Sequence, residues 1–504
     1  MEKGPKNRWV VLAVLASSLL VVALDATILN VALPTLAADL EPSATELLWI
    51  VDAYGLVLAG LLIAMSGLGD RVGRRRLLVI GLGAFAGAAT LAAFASSPEQ
   101  LIAARVLLGV GGAMIMPSTI TLLRTVFLDD RERAIAVGVW TAIAAGGFAV
   151  GPVIGGALLE VLDWPWVFAL QVPVVLLAIV AVLRLVPEWR SADPGPWDPI
   201  GVTLSITGMV ALVWGIKEAS KHGFGDAEAL GTLALGAGAL SAFVRRQRKL
   251  THPLLDVGLF RDRRFSASAV AVLAVFFGFG GLLLLLTQFF QIVQGHGPLG
   301  AGLRLLPLAL AAGIASPLTD AAVRRVGAHV VVGSGFAIVA GAFAALYGLD
   351  AGTPYVVIAA CLAALGVGAG VASTAASAVI LSSAPPERAA GAVAVQETAY
   401  ELGGALGVAI LGSVMTARYR AELNGLAGLP ADARESLPAA AEIAARAGGD
   451  AGAALLGAAQ QAFLDGLSVT LVVAAAVTAV IAVTALAFMP RERALGAAPT
   501  PAEA

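Results

Sequence analysis

The chain has 504 residues, of which 59% are hydrophobic and only 13% charged, and its formal net charge is -2. That balance excludes a soluble globular enzyme and a nucleic-acid binder, and places the chain among polytopic membrane proteins. A single cysteine, Cys361, excludes an intramolecular disulfide, and four scattered histidines argue against a zinc site.

Apolar runs of about 18 or more residues, bounded by charge, Pro or Gly, predict transmembrane helices. Fourteen are read, over 9–33, 46–67, 77–96, 99–123, 134–159, 165–186, 199–216, 229–244, 265–292, 299–322, 329–349, 353–381, 389–416 and 466–489. The basic start Met1 to Arg8 leads into a span too long for a signal-peptide core, with no small-residue cleavage site. In the first span, LDATILNVALP (24–34) places Asp25 in hydrocarbon, at a cost of roughly 2.5–3.5 kcal/mol. Such a carboxylate should face a protein cavity and either hold a proton or meet a cation. The second span, within ELLWIVDAYGLVLAG (46–60), adds Asp52 with Trp49 and Tyr54 beside it.

SGLGDRVGRRR (66–76) joins the second and third spans. Gly69 and Gly73 permit a tight turn, Asp70 can cap the next helix, and Arg71, Arg74, Arg75 and Arg76 are fixed cations. Charge placed there only to set topology is the simpler reading. LIAARVLLGVGGAMIMP (101–117) carries Arg105, a cation that stays charged and so should pair inside the bundle or snorkel to the interface. Gly146, Gly147, Gly151, Gly155 and Gly156 line one face of the fifth span for close helix contact, and Pro152 bends it.

A Pro-rich linker (187–199) and a basic segment (245–264) bracket two plain spans with no internal ionisable residue. The chain is therefore divided into a six-helix bundle at 1–190, a linker with two inserted helices at 191–262, and a second six-helix bundle at 263–504. AVQETAYELGG in the thirteenth span sets Glu397 and Glu401 one turn apart, too close for both to ionise cheaply, with Tyr400 between them. Glu401 also reads as a solvated helix-end residue. The polar segment 418–465 suits short amphipathic surface helices.

With the N-terminus in the cytoplasm, 24 of the 32 Lys and Arg fall in inner segments and six outside, Lys217 and Lys221 among the six. This bias places both termini inside. Trp49, Tyr54 and Tyr400 are the aromatics best placed for cation–π contact with flat cations; Met114 and Met116 read as packing.

GLGDRVGRRR closely resembles the signature loop of the major facilitator superfamily, and the chain resembles that family's fourteen-span drug:proton antiporter branch throughout. LDATILNVALP, LIAARVLLGVGGAMIMP and GGFAVGPVIGG (146–156) are similar to its first-, fourth- and fifth-helix motifs, the last marking antiporters. ELLWIVDAYGLVLAG, HPLLDVGLF (252–260), LRLLPLAL (303–310) and the span-13 acids look most like the QacA/LfrA type of quaternary-ammonium and multidrug efflux pumps. The resemblance implies a major facilitator fold of two six-helix bundles plus two inserted helices, with Asp70 and the arginines latching the inner side. It also matches Asp25, Asp52, Glu397 and Glu401 to the exporters' functional acids. One departure is ALAAG (309–313), which lacks the tenth-span carboxylate of some relatives and counts against divalent-cation export.

The expected function is export of hydrophobic, mainly cationic drugs, namely quaternary ammonium compounds, dyes and by extension fluoroquinolones, against inward protons across a bacterial plasma membrane. It would need no cofactor, metal, nucleic acid or second subunit. An exporter of an endogenous metabolite, lipid or antibiotic is the alternative, and a membrane-embedded enzyme or sensor a more distant one.

Overall fold

A computed structural model describes residues 7–190, 197–222, 225–251, 253–384, 389–424 and 429–489. The first bundle holds α1 (Arg8–Leu40), α2 (Ala44–Val72), α3 (Arg74–Ala93), α4 (Pro98–Val126), α5 (Asp130–Leu159), and a span broken at Leu170 into α6 (Pro165–Ala169) and α7 (Gln171–Leu185). An antiparallel hairpin follows, α8 (Pro199–His222) and α9 (Ala227–Gln247). The second bundle holds α10 (Arg263–Gln288), α11 (Pro298–Ala315), α12 (Thr319–Val326), α13 (Ala328–Ala345), α14 (Tyr355–Ser383), α15 (Ala389–Asn424), α16 (Leu437–Ala447) and α17 (Gly449–Phe488). Among the described residues thirteen helical stretches are long and apolar enough to cross a membrane, and α5 adds an apolar stretch over Gly146–Leu159. Together they correspond to the fourteen expected spans.

Helix starts follow from capping residues. Glu46 accepts from the Ser43 amide at 2.8 Å while Ser43 caps the Glu46 amide, closing a reciprocal box at α2. Ser97, Asp129, Asp226 and Ser436 cap α4, α5, α9 and α16. Between α2 and α3 the backbone reverses at Gly73, whose φ of 111° favours glycine, and a Cβ there would lie 2.8 Å from Glu188 Oε1.

Side chains of the first bundle fill one apolar core from Val11 to Val186, joined by Leu284 and Val408 from the second. A separate core runs from Leu259 to Met489. The bundles meet where α2 packs on α15 and α5 on α11, and α8 lies against both α2 and α15. We term the end carrying Asp70 to Arg76 the basic end, and the opposite one the far end. At the far end the seam is closed: Gln291 donates to the Val31 carbonyl at 3.0 Å, and Arg446 meets Glu41 at 2.5 Å. A Cβ on Gly156 would lie 2.5 Å from the Pro298 carbonyl and 2.6 Å from Leu299 Cα, so only glycine permits this contact.

Two expectations need correction. Helix α8 continues past residue 216 to His222, and Lys217 is buried within it, so the inserted hairpin does contain an internal ionisable residue and the far end loses one of its cations. Among the described residues after α15, a 3-10 turn at Asp432–Arg434 and the short helix α16 precede α17, which begins at Gly449 rather than 466 because an alanine-rich run extends the last span. His252, Arg388, Arg491, Arg493 and linker residues 191–196 lie outside the described residues.

Candidate functional site

Asp25 and Arg105 find each other across 80 residues of chain. Arg105 Nη1 lies 2.5 Å from Asp25 Oδ2, and the two side chains are 1% and 0% exposed respectively. Gln171, at the start of α7, donates to Asp25 Oδ1 at 3.1 Å, so both carboxylate oxygens are engaged. Arg105 Nε donates to the Ile50 carbonyl at 3.0 Å, and its guanidinium sits 4.5 Å above the Tyr54 ring. Tyr54 is in turn pinned by its hydroxyl donating to the Val22 carbonyl at 3.1 Å. Arg105 is therefore a buried, multiply held partner of Asp25, not an interfacial snorkeller. Of this group the sequence reading named Asp25, Arg105 and Tyr54; Gln171 carried no signal beyond its polarity.

Asp52 points to a different neighbour. Its Oδ2 lies 2.8 Å from Nζ of Lys217 on α8, the side chains being 1% and 2% exposed. The same ammonium lies 4.0 Å from the centre of the Trp49 ring, and Trp214 packs against Trp49 at 5.6 Å. The carboxylate and aromatic predicted for a ligand thus hold one of the protein's own cations. Lys217 was missed because the apolar run ends at residue 216, and Trp214 because within that run it reads as one more apolar residue, although W-x-x-D (49–52) and W-x-x-K (214–217) each place an aromatic and a charge on one helix face.

Glu397 and Glu401 differ from both. They are half-buried on α15 and make no hydrogen bond or ion pair with any described residue. Glu401 faces α2, where a Cβ on Gly55 would lie 3.5 Å from its Oε2, and it lies within electrostatic reach of Glu397 and Arg105. Beside them the Tyr400 hydroxyl takes a hydrogen bond from Gln396 at 2.8 Å and shares one with Ser377 at 3.0 Å, and its ring is 4.4 Å from that of Phe276. Glu397 also lines a narrow cavity of about 40 Å³ in the basic half, between the bundles, with Ser66, Thr121, Arg124 and Trp140. Such a space admits a water or two, at ~30 Å³ each. The structure therefore places Glu397 and Glu401 at the seam, with Tyr400 beside them held on second-bundle partners, while Asp25 and Asp52 of the first bundle occupy separate ion pairs, the latter with the inserted hairpin.

The signature loop is ordered by charge. Arg74, 3% exposed, donates to Asp70 Oδ1 at 2.6 Å and 3.0 Å and reaches Ser66 at 3.4 Å. Glu188, three residues past the end of α7, accepts from the Arg75 amide at 2.9 Å and lies near the Arg75 and Arg76 guanidinium groups. The Arg74 amide donates to the Trp189 carbonyl at 2.8 Å. Gly69 is where Arg74 folds back, 2.8 Å from a Cβ placed there; Arg71 instead lines an open surface recess with Arg76 and Arg190. On α5, Gly147, Gly151 and Gly155 abut Ala23, Thr27 and Ile28 of α1, Gly156 abuts α11, and Pro152 lies against Gly302. The glycine face thus serves two contacts, one within the first bundle and one across the seam.

A sequence profile of the Major Facilitator Superfamily matches residues 15–408. The multidrug efflux pump LfrA of Mycolicibacterium smegmatis is 43% identical over 491 residues, 96% of this chain and 97% of that one. The methyl viologen resistance protein SmvA of Salmonella typhimurium is 37% identical over 84% of this chain and 86% of its own. Among solved structures, a bacterial homolog of the human lysosomal transporter Spinster, inward-facing and unoccupied, is similar with a TM-score of 0.64 at 19% identity, over 96% of this chain and 98% of that one. That likeness speaks to the fold. With a profile spanning most of the length, paired helical bundles and membrane-crossing helices throughout, this is a multi-pass membrane transporter and not an enzyme: the chain belongs to the Major Facilitator Superfamily.

Proposed function

We propose that the protein exports hydrophobic organic cations from bacterial cells in exchange for protons, across the plasma membrane and with both termini in the cytoplasm. The names of the relatives, a multidrug efflux pump and a methyl viologen resistance protein, support drug export and a cationic substrate class. With Lys217 inside the membrane, five of the six cations that the sequence assigns to outer segments remain, against the 24 that it assigns to inner ones, which supports a cytoplasmic basic end.

The observation that carries the reading is the contrast among the four acids. Asp25 and Asp52 already hold cations, whereas Glu397 and Glu401, at the seam between the bundles, have no ion-pair partner among the described residues. A flat cation could take them as counter-charge and stack on Tyr400 and Phe276. The two bundles rock about this seam: with the basic side open the glutamates release protons and attract the cation, and with the far side open they are reprotonated and let it go. A proton reaching Asp25 would free Arg105 to act on Glu401. Each proton beyond the charge of the exported cation adds ~2.3 kcal/mol per 100 mV of membrane potential. The gradient replaces any cofactor, and one chain suffices for the cycle.

Inside-out vesicles with an imposed acid-inside pH gradient and ethidium in the outer medium test the reading. Uptake that collapses with a protonophore is expected. Uptake that persists after the gradient is dissipated, or none with any cation while a neutral or anionic metabolite moves, would overturn it.

A further inference from the structure

The inserted hairpin supplies a buried charge. Lys217 reaches from α8 to α2, where its ammonium lies 2.8 Å from the Asp52 carboxylate and 4.0 Å from the Trp49 ring centre, with Trp214 tilted against Trp49. A carboxylate plus an aromatic face is what an ammonium ligand needs. The surrounding walls are apolar, formed by Leu56, Val213, Ala405 and Ala409 where α2, α8 and α15 converge, so the attraction is little screened. Gly215 lets α9 close over α8, since a Cβ there would lie 2.7 Å from Leu233 Cγ. Each charge sits three residues after a tryptophan on its own helix, so the two faces are built to meet.

We propose that Asp52, Trp49 and Trp214 form a binding site for organic ammonium ions whose resident occupant is the side chain of Lys217. The inserted helices thereby become part of the cation-handling core, with α8 bringing a tethered ligand to the seam between the bundles. A primary alkylammonium with a short aliphatic tail is the class of free ligand that fits once the tether is removed.

The test uses full-length protein in detergent, Lys217→Ala, with n-butylammonium as the probe and n-butanol as its neutral counterpart. Butylammonium is expected to raise the unfolding temperature of Lys217→Ala saturably, at a concentration at least ten-fold lower than any effect on the unaltered protein. Adding Asp52→Asn is expected to abolish that response, and adding Trp49→Ala to weaken it. Equal responses in all four proteins, or an equal response to butanol, would overturn the assignment. Should Lys217→Ala unfold during purification, recovery of folded protein in butylammonium, and of Lys217→Ala/Asp52→Asn without it, is the expected result; failure of both overturns the proposal. The unfolding temperature needs neither a gradient nor transport, so this proposal and the export reading fail independently.

Discussion

Replacing Asp25 with Asn keeps the shape of the side chain and removes its charge and its ability to carry a proton. The pair it breaks is held at 2.5 Å between side chains of 1% and 0% exposure, and deleting one partner of such a pair costs about 3–5 kcal/mol. Part is retained. Arg105 keeps its bond to the Ile50 carbonyl and its place over Tyr54, worth about 1–2 kcal/mol together. The expected net loss is about 1–4 kcal/mol, which for a bundle of this size lowers the unfolding temperature by roughly 2–16 °C. Adding Arg105→Ala removes the stranded cation, so the double variant should be more stable than the sum of the two singles implies. In inside-out vesicles Asp25→Asn should abolish proton-driven dye export. Full export by the folded single variant, or strictly additive losses in the double, would refute the role given to this pair.

Glu397→Gln should impair cationic substrates more than neutral ones, measured as export rates over a matched panel; equal losses would mark a packing role. Arg74→Ala removes three contacts to Asp70 and Ser66 and touches neither glutamate directly, so equilibrium ethidium binding should hold while turnover falls several-fold. If turnover is unchanged, the loop's charge serves topology alone. Gly156→Leu would drive a side chain into Pro298 and Leu299 and prop α5 from α11. Spin labels across the far-end seam should then report a longer distance than in the unaltered protein, whereas an unchanged distance would show that this contact does not close that end.

The spans and the signature loop were legible because hydrocarbon and charge leave a strong linear record: long apolar runs, and Asp70 four residues before the Arg74 it binds. Arg105 could be read as needing a buried partner, since a guanidinium stays charged, but which of the acids it would take depends on how α1 and α4 pack. The i, i+4 spacing of Glu397 and Glu401 placed them on one face, and they lie so. Lys217 escaped because hydropathy ends the span one residue too soon. A lysine stem is apolar along its length, and only the facing Asp52 and Trp49, 165 and 168 residues earlier in the numbering, make it a core residue. Trp49 and Tyr54 were read as facing flat cationic substrates, whereas the cations over their rings in the structure are the protein's own, Lys217 and Arg105. The glycines of α5 announced close packing without saying that Gly147, Gly151 and Gly155 serve α1 while Gly156 serves α11.

On the proposed mechanism, proton and organic cation compete for Glu397 and Glu401, which have no ion-pair partner among the described residues. Proton release on adding ethidium or a quaternary ammonium compound to the purified protein in weak buffer tests it most directly. Release is predicted from the unaltered protein and its loss from Glu397→Gln/Glu401→Gln. Cation binding without proton release, or undiminished release from the double variant, would contradict it.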